Sequence, residues 1–199
     1  MRVIAGTYRS RILKSLKGQT LRPTSDRLRE TLFNVLGPDV AGSRFLDLFA
    51  GTGAIGIEAL SRGAVEVVFI ENHAPAAALI RRNLESIGIR KGATLVVMDA
   101  LRGLEKLASE KRGETCCLDF IFLDPPYDAA NDYAHVLESL GWGNLLAPSG
   151  LAIAEHRRNF DLPEGVGALH RYRVLKQGDA ALSFYRRSAA AAGKNNSAQ

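Results

Sequence analysis

The sequence predicts a Rossmann-like α/β fold with one main domain, for three reasons. From residue 44 to about residue 155, apolar runs of strand length alternate with segments of helical periodicity, which is typical of a mostly parallel sheet with helices on both faces. These segments include a helix expected from about residue 74 to residue 87 and a strand expected over residues 151–155. A glycine-rich turn follows the first apolar run. Near the end, residues 169–175 and 180–185 flank a polar turn and predict a C-terminal antiparallel hairpin.

Residues 1–36 are predicted to form a small extension ahead of this domain. Two short segments, at residues 2–5 and 11–13, each begin with an arginine followed by apolar residues; they flank a polar turn and predict a β-hairpin. Leucines at positions 28, 32 and 36 recur at helical spacing, so a helix over residues 27–36 is expected to follow, ended by Gly37-Pro38. The extension is therefore expected to be ordered rather than a floppy tail.

The net charge of +5 is concentrated in this extension. Residues 1–30 hold eight Lys or Arg side chains and two acidic ones, whereas the remaining residues hold 18 basic and 19 acidic side chains. Clustered Lys and Arg bind phosphates with release of counterions, so the extension is predicted to bind nucleic acid. The alternative is a solvated basic surface without a partner.

Composition places the chain among proteins with a single hydrophobic core. The hydrophobic content is 46%, no apolar run reaches the length of a membrane span, and the first residues lack the features of a signal peptide. A cytoplasmic protein is expected. Cys116 and Cys117 are adjacent, which excludes an ordinary disulfide between them, so we interpret them as core residues in a reducing compartment. The four histidines lack metal-ligand spacing, and no metal is expected.

The glycine-rich turn predicts the seat of a nucleotide-containing cofactor. Gly51 and Gly53 allow backbone angles closed to other residues, and Gly56 suits close packing of a helix on a strand. This glycine spacing also fits a dinucleotide fingerprint. Asp47 favours another ligand, because a carboxylate beside the turn repels a pyrophosphate and attracts an ammonium or sulfonium, as in S-adenosyl-L-methionine. The alternative is that Asp47 only caps the turn.

Acidic residues also follow the next two predicted strands. Glu71 follows the run 66–70, about twenty residues beyond the turn, where a ribose diol would find a bidentate acceptor. Asp99 follows the run 93–98, where a carboxylate would accept the adenine amino group. A helix N-cap is the competing role of Asp99.

A rigid acceptor-rich corner follows the most apolar strand candidate, residues 118–123, which is expected to be central in the sheet. In Asp124-Pro125-Pro126-Tyr127, the prolines fix φ and remove two amide donors. A carboxylate, a main-chain carbonyl and an aromatic face remain, which suit the exocyclic amino group of a base. Accepting both N–H groups points the nitrogen lone pair at a methyl donor held on the neighbouring turn. The alternative is an ordinary Pro-Pro loop.

These motifs resemble those of class I S-adenosylmethionine-dependent methyltransferases that act on amino nitrogens. More narrowly, Arg22-Pro-Thr-x-x-Arg27-x-Arg29-Glu30 and Gly56-Ile-Glu58-Ala-Leu resemble the bacterial small-subunit ribosomal RNA guanine-N2 methyltransferases. The resemblance runs from about Arg2 to Arg187. It implies a seven-stranded sheet with a reversed last strand, and methylation of the N2 amino group of a 16S rRNA guanine of the position-966 type.

The resemblance also assigns roles by position. The residues that would contact S-adenosyl-L-methionine are Asp47, Gly51, Gly53, Glu71, Asn72, Asp99 and Ala100. Those that would hold the guanine are Asp124, Pro125, Pro126 and Tyr127, and those that would contact RNA are Arg22, Arg27 and Arg29. The basic hairpin adds Arg9 and Arg11 to the predicted RNA contacts. The expected partner is 16S rRNA within a small-subunit assembly particle, with no membrane, and the protein is expected to be a monomer.

Three domain segments follow: a basic RNA-binding extension at residues 1–36, a methyltransferase domain at 37–187, and a disordered tail at 188–199 that lacks periodicity. A DNA adenine-N6 methyltransferase is an alternative because it shares the Asp-Pro-Pro-Tyr motif, but no separate sequence-reading domain is present. A nicotinamide-dependent oxidoreductase would need Asp47 to tolerate pyrophosphate. A non-enzymatic RNA-binding module is the last alternative.

Overall fold

The computed structural model describes residues 1–15, 24–110, 118–126 and 130–188. Its α-helices are α1 (Asp26–Leu36), α2 (Ala54–Ser61), α3 (Ala74–Ile87), α4 (Ala100–Glu110) and α5 (Ala130–Trp142), and a short 3-10 helix, Gly37–Val40, follows α1. Its strands are β1 (Arg44–Leu48), β2 (Glu66–Ile70), β3 (Ala93–Val96), β4 (Leu118–Leu123), β5 (Leu146–Arg157), β6 (Gly165–Val166), β7 (Leu169–Gln177) and β8 (Ala180–Arg187).

The strands form one sheet in the order β3-β2-β1-β4-β5-β8-β7-β6. Strands β1 to β5 are parallel, whereas β8, β7 and β6 continue the sheet through antiparallel pairs. The predicted Rossmann-like class and the terminal hairpin are confirmed. The expected count of seven strands is wrong, because the described residues contain eight. The additional strand, β6, has only two residues, Gly165 and Val166, which is too short to show alternation in a sequence.

Helices cover both faces of the sheet, as alternation along the strands requires. On β4, Phe120 and Phe122 join a core under α1, α2 and α3, whereas Ile121 and Leu123 join a second core under α4 and α5. The two cores therefore hold the parallel strands from opposite sides. This rigid frame positions the loops at the strand ends.

Helix α1 forms because Ser25 caps it and its apolar face has a partner. The Ser25 hydroxyl oxygen accepts the Leu28 N–H at 3.1 Å. Phe33 stacks on Phe45 of β1 with ring centroids 6.2 Å apart. Burial of each such leucine or phenylalanine stabilises the fold by about 1.5–3 kcal/mol. The helix predicted at residues 27–36 is confirmed, and Gly37 ends it.

The N-terminal hairpin is shorter than the sequence suggested. One antiparallel bridge, between Arg2 and Ile12, joins its two arms. Val3 and Leu13 are nevertheless buried in the same core as α1, so the described part of the extension packs as an integral layer of the domain. Its main chain also binds α2, where Thr7 N–H donates to the Ser61 carbonyl at 2.8 Å.

The other predicted boundaries agree with the structure to within two residues, except at the start of β5. Helix α3 and strand β4 have the bounds that the apolar patterns predict. Strand β5 begins at Leu146, five residues before the predicted start, because Pro148 and Gly150 interrupt its apolar pattern. The register with β4 shifts at this irregular part.

None of the helices in the described part of the chain has the length and apolar character of a membrane span. Cys116, Cys117 and the predicted tail beyond Ser188 lie outside the described residues.

Candidate active site

The carboxyl ends of β1 and β4 meet at one edge of the sheet. The two strands are parallel neighbours, with Asp47 opposite Phe122 and Leu48 opposite Leu123. From β1 the chain places β2 and β3 on one side and β4 and β5 on the other, so this edge is the point where the strand order reverses. Ligands of open α/β sheets bind at such a switch point. The predicted proximity of the two strand tips is confirmed.

The glycine-rich turn after β1 is held in left-handed backbone conformations. The φ angles are +54° at Gly51 and +76° at Gly53, as the sequence predicted, and +64° at Phe49, which the sequence did not predict. A left-handed conformation costs a residue other than glycine about 1–2 kcal/mol, so the surrounding contacts must fix the turn. One such contact runs from the Ala50 N–H to the Ile70 carbonyl at 3.0 Å.

Gly56 brings α2 against β2, which confirms the predicted reason for a glycine there. A Cβ atom on Gly56 would lie 2.3 Å from Cε1 of Phe69 and 2.8 Å from Cγ1 of Val67. No other residue fits this approach without movement. The start of α2 is thereby fixed directly above the edge where the turn lies.

Asp47 is buried beneath the turn and caps α2. Its Oδ2 accepts the Gly56 N–H at 2.9 Å, so the capping role that the sequence left open is real. Burial raises the pKa of Asp47 to about 8, helped by the charge of Glu71 and opposed by the Gly56 hydrogen bond. A cation beside Asp47 would favour its ionised form. The position therefore suits a positively charged ligand better than an anion.

Glu71, at the end of β2, binds the same turn. Its Oε2 accepts the Gly51 N–H at 2.7 Å, and its Oε1 accepts the His73 N–H at 2.8 Å. Each carboxylate oxygen retains acceptor capacity for a further donor. Glu71 therefore orders the turn, and the neighbouring Asn72 is exposed at the same edge.

Asp99 caps α4, as its competing role predicted. Its Oδ1 accepts the N–H groups of Leu101 at 3.0 Å and Arg102 at 3.3 Å. The side chain remains exposed beyond β3, and the adjacent Ala100 is buried. Contact of Asp99 with an adenine stays a prediction.

The corner after β4 carries a carboxyl group with a perturbed proton affinity. Asp124 is partly buried, Pro125 is buried and Pro126 is exposed, whereas Tyr127 lies outside the described residues. Burial raises the pKa of Asp124 well above its usual range, and the charges of Glu155 and Asp47 raise it further. Asp124 is thus electrostatically coupled to both neighbouring strands.

Glu155 is a buried carboxyl group at this edge that the sequence prediction did not include. It lies near the end of β5, and its Oε2 accepts a hydrogen bond from the Thr24 hydroxyl at 2.7 Å. Glu155 follows the apolar run 151–154 in the same way as Glu71 follows β2. This shared pattern is the signal from which Glu155 could have been predicted as a site residue.

Comparison with known proteins identifies the family to which this chain belongs. The family described as "Conserved hypothetical protein 95" matches residues 1–186. The chain belongs to this family. It is 38% identical over 187 residues to the Bacillus subtilis (strain 168) protein YlbH, covering 94% of this chain and 99% of YlbH.

Further relatives carry the name of an activity. Over 193 residues the chain is 34% identical to "Ribosomal RNA small subunit methyltransferase D" of Escherichia coli (strain K12), covering 95% of this chain and 91% of the relative. The solved structure described as "Putative methyltransferase yhhF from Escherichia coli" has a TM-score of 0.79 at 32% identity, covering 95% of this chain and 98% of that one. The resemblance recognised in the sequence is confirmed, and the chain is a methyltransferase.

In this member of the family, Arg29 is part of the core. Its side chain is fully buried, Nη2 donates to Asp26 Oδ1 at 3.1 Å and to the Arg2 carbonyl, and Nε lies 3.8 Å from Glu58 Oε2. Desolvation lowers the pKa of Arg29 from its ordinary value, and the charges of Asp26 and Glu58 oppose this shift without cancelling it. A side chain without exposed surface cannot contact RNA, so the predicted RNA-binding role of Arg29 is wrong.

Glu58 explains why Arg29 is buried. Its side chain is also fully buried, and it accepts the main-chain N–H groups of Ile4 at 2.7 Å and Ala5 at 3.0 Å. It further accepts the Arg62 Nε–H at 2.8 Å. The two motifs that carried the narrower resemblance therefore meet in one buried charge cluster. This cluster binds the extension to α2.

The extension is also connected by hydrogen bonds to the glycine-rich turn after β1. The main chain of Lys14 exchanges two hydrogen bonds with the buried Asn83 side chain, which also donates to the Thr52 carbonyl at 3.0 Å.

The other arginines predicted to contact RNA differ from Arg29. Arg9, Arg11 and Arg27 are exposed, as contact with RNA requires, and Arg22 lies outside the described residues.

Proposed function

We propose that this chain transfers a methyl group from S-adenosyl-L-methionine to the N2 amino group of a guanine in 16S rRNA. The observation that carries the proposal is the meeting of the glycine-rich turn and the Asp124 corner at the carboxyl ends of β1 and β4. A methyl donor on the turn and an amino group at the corner would be neighbours. Positioning of this kind is the main contribution a protein makes to a direct displacement.

The described residues fit a cationic cofactor. Asp47 and Asp124 are carboxyl groups of raised pKa that converge on one edge, so a ligand with positive charge would relieve their mutual repulsion. A pyrophosphate would add negative charge instead, which argues against the nicotinamide alternative. S-adenosyl-L-methionine supplies an electrophilic methyl group on a sulfonium, together with an ammonium.

The residues that would hold this cofactor line the ends of the first three strands. Main-chain groups of Gly51 and Gly53 would contact the amino acid part near Asp47. Glu71 would accept the ribose hydroxyls with Asn72 beside it, and Asp99 with Ala100 would meet the adenine. Each of these carboxylates already orders a turn or a helix start, so the contacts would be preorganised.

The corner after β4 would act on the guanine. Pro125 and Pro126 have no N–H groups, so they do not compete with the donors of an amino group. The Asp124 carboxylate and the Pro125 carbonyl would accept its two N–H groups, and Tyr127 would stack on the base. The N–C bond forms as the S–C bond breaks, S-adenosylhomocysteine leaves, and the nitrogen loses one proton. A carboxyl group of raised pKa is suited to take up that proton.

Two observations support RNA as the substrate class. Exposed Arg9, Arg11 and Arg27 lie on the extension, which packs beside both the turn and the site edge. The Escherichia coli relative is named for the small ribosomal subunit. We propose that a cytoplasmic monomer modifies a guanine of the position-966 type within an assembling small subunit.

Two measurements test the proposal. Calorimetry should detect binding of S-adenosylhomocysteine, and its absence would remove the cofactor class. Asp124→Ala should abolish transfer of labelled methyl groups to small-subunit RNA while its affinity for S-adenosylhomocysteine stays near that of the wild type. Transfer into duplex DNA would favour the adenine alternative, and an unchanged rate in Asp124→Ala would exclude the proposed chemistry at this corner.

A further inference from the structure

We propose that Glu155 is a positioning residue for the methyl transfer, because it joins the catalytic corner at Asp124 to the segment that leads into α1. This role rests on the proposed function. It adds a connection between the part of the molecule that meets RNA and the part that would hold the reacting base.

Strand pairing places Glu155 next to the corner. Strands β4 and β5 are parallel, with Leu123 opposite Ala154, so the next residues along the two strands are Asp124 and Glu155. The side chain of Ile153 lies in the core under α1, and alternation puts Glu155 on that same face. Glu155 is only 4% exposed. Its carboxylate therefore lies between the Asp124 corner and the entrance of α1.

Hydrogen bonds hold Glu155 from both faces of the sheet. On the α1 side, the Thr24 hydroxyl donates to its Oε2 at 2.7 Å, although the two residues are 131 positions apart. On the other side, the hydroxyl of the buried Tyr133 donates to the Glu155 main-chain carbonyl at 2.7 Å. A strand tip fixed in this way is the support that a functional residue beside it needs.

The position of Glu155 separates substrate effects from cofactor effects. Strand β4 lies between β1 and β5, so Glu155 and Asp47 flank Asp124 from opposite sides. Asp47 and Glu71 contact the glycine-rich turn, whereas the Thr24 bond of Glu155 leads to the start of α1. Loss of this bond should misplace the RNA-contacting helix relative to Asp124 and leave the turn intact.

Thr24→Val and Thr24→Ser form the matched pair that tests this role. Valine keeps the volume of threonine but lacks the hydroxyl, whereas serine keeps the hydroxyl. Loss of a hydrogen bond to a charged group corresponds to a change of roughly tenfold to hundredfold in a rate or equilibrium constant. We expect Thr24→Val to lower kcat/KM on small-subunit particles by roughly that factor. Thr24→Ser should restore most of the rate.

Ser183→Ala controls for the general loss of a buried hydroxyl. Ser183 lies on β8, and its Oγ is 2.8 Å from Nε2 of His156, on the opposite face of β5 from Glu155. This variant should keep the wild-type kcat/KM at temperatures where it is folded. Glu155→Gln, which keeps an acceptor for Thr24, should retain more activity than Glu155→Leu.

The measurements are steady-state methylation of particles from a strain lacking the modification, calorimetry with S-adenosylhomocysteine, and thermal unfolding of each variant. The expected result is a loss of kcat/KM in Thr24→Val with an S-adenosylhomocysteine affinity within about twofold of wild type, below the effect of one hydrogen bond. Three results would overturn the role of Glu155: wild-type kcat/KM in Thr24→Val, an equal loss in Ser183→Ala, or a parallel loss of cofactor affinity. A wild-type protein that methylates no rRNA would overturn the proposed function, and this role with it.

Discussion

Replacement of Glu58 by alanine should lower the free energy of unfolding by about 3–5 kcal/mol. The carboxylate is fully buried and balances the equally buried guanidinium of Arg29, whose Nε lies 3.8 Å away. Removal leaves Arg29 with Asp26 and the Arg2 carbonyl as the partners described above. It also leaves the N–H groups of Ile4 and Ala5 without their acceptor, at a cost of about 1 kcal/mol each where water does not replace it.

Urea unfolding followed by circular dichroism measures this loss. Glu58→Gln, which keeps the volume and one acceptor oxygen, should lose less than Glu58→Ala. The double variant Arg29→Met with Glu58→Met should be more stable than the summed losses of the single variants Arg29→Met and Glu58→Met predict. It removes both buried charges together, so neither is left without its partner. A loss below about 1 kcal/mol in Glu58→Ala, or strict additivity in the double variant, would refute the buried pair as the anchor of the extension.

Three further predictions concern the turn, the RNA surface and pH. Gly56→Ala should lower the free energy of unfolding by about 1–3 kcal/mol and weaken S-adenosylhomocysteine binding, since its Cβ would lie 2.3 Å from Phe69 Cε1. Arg27→Glu should weaken RNA binding and reduce its salt dependence, whereas Arg29→Met should leave that dependence unchanged in folded protein. Because burial raises the pKa of Asp47 to about 8, the wild type should lose stability relative to Asp47→Asn as pH rises from about 4 to 8.

Each of these has a contradicting outcome. Wild-type stability in Gly56→Ala would mean that α2 does not pack closely on β2. If RNA affinity depended equally on salt concentration in Arg27→Glu and in the wild type, Arg27 would not contact RNA. For Asp47, the folded protein holds the proton that the unfolded chain releases near pH 4, so stability is present at low pH and lost through pH 8. A constant difference between Asp47→Asn and wild type in urea titrations at both ends of that range would contradict the raised pKa.

Local sequence patterns were sufficient for most of the fold. Periodicity predicted α3 and β4 because their apolar faces are continuous, and the strand-end acids Asp47 and Glu71 lie at the switch-point edge that alternation of strands and helices implied. Gly56 was predictable because only a glycine allows so close an approach of helix and strand. Each of these features leaves a mark in the local sequence, as an apolar periodicity, an acid at a strand end or a glycine.

The features that sequence reasoning missed depend on distant partners. In the sequence, Arg29 is one more basic side chain in a charged segment, because its counterion Glu58 lies on another helix. The bond between Thr24 and Glu155 joins the extension to the fifth strand, and no local pattern indicates such a contact. Strand β6 pairs through Gly165 and Val166 with β7, and two residues carry no local pattern that indicates such a pairing.

The buried cluster changes how the extension is understood. Part of its positive charge is structural, since Arg29 is fully buried. Arg62, which follows α2, also packs against the extension, with its guanidinium carbon 5.0 Å from the ring centroid of Phe33. The extension shares the core of the catalytic domain. Its exposed arginines are therefore held in a fixed relation to the turn and the corner, as the proposed modification of one nucleotide would require.

Identification of the methylated nucleoside tests the central claim most directly. Small-subunit particles from a strain lacking the modification would be incubated with the protein and S-adenosyl-L-methionine carrying an isotopically labelled methyl group, and the RNA digested for mass spectrometry. The account predicts labelled N2-methylguanosine at one position with the wild type and none with Asp124→Ala. Label on adenosine, or on guanosine with both proteins, would contradict it.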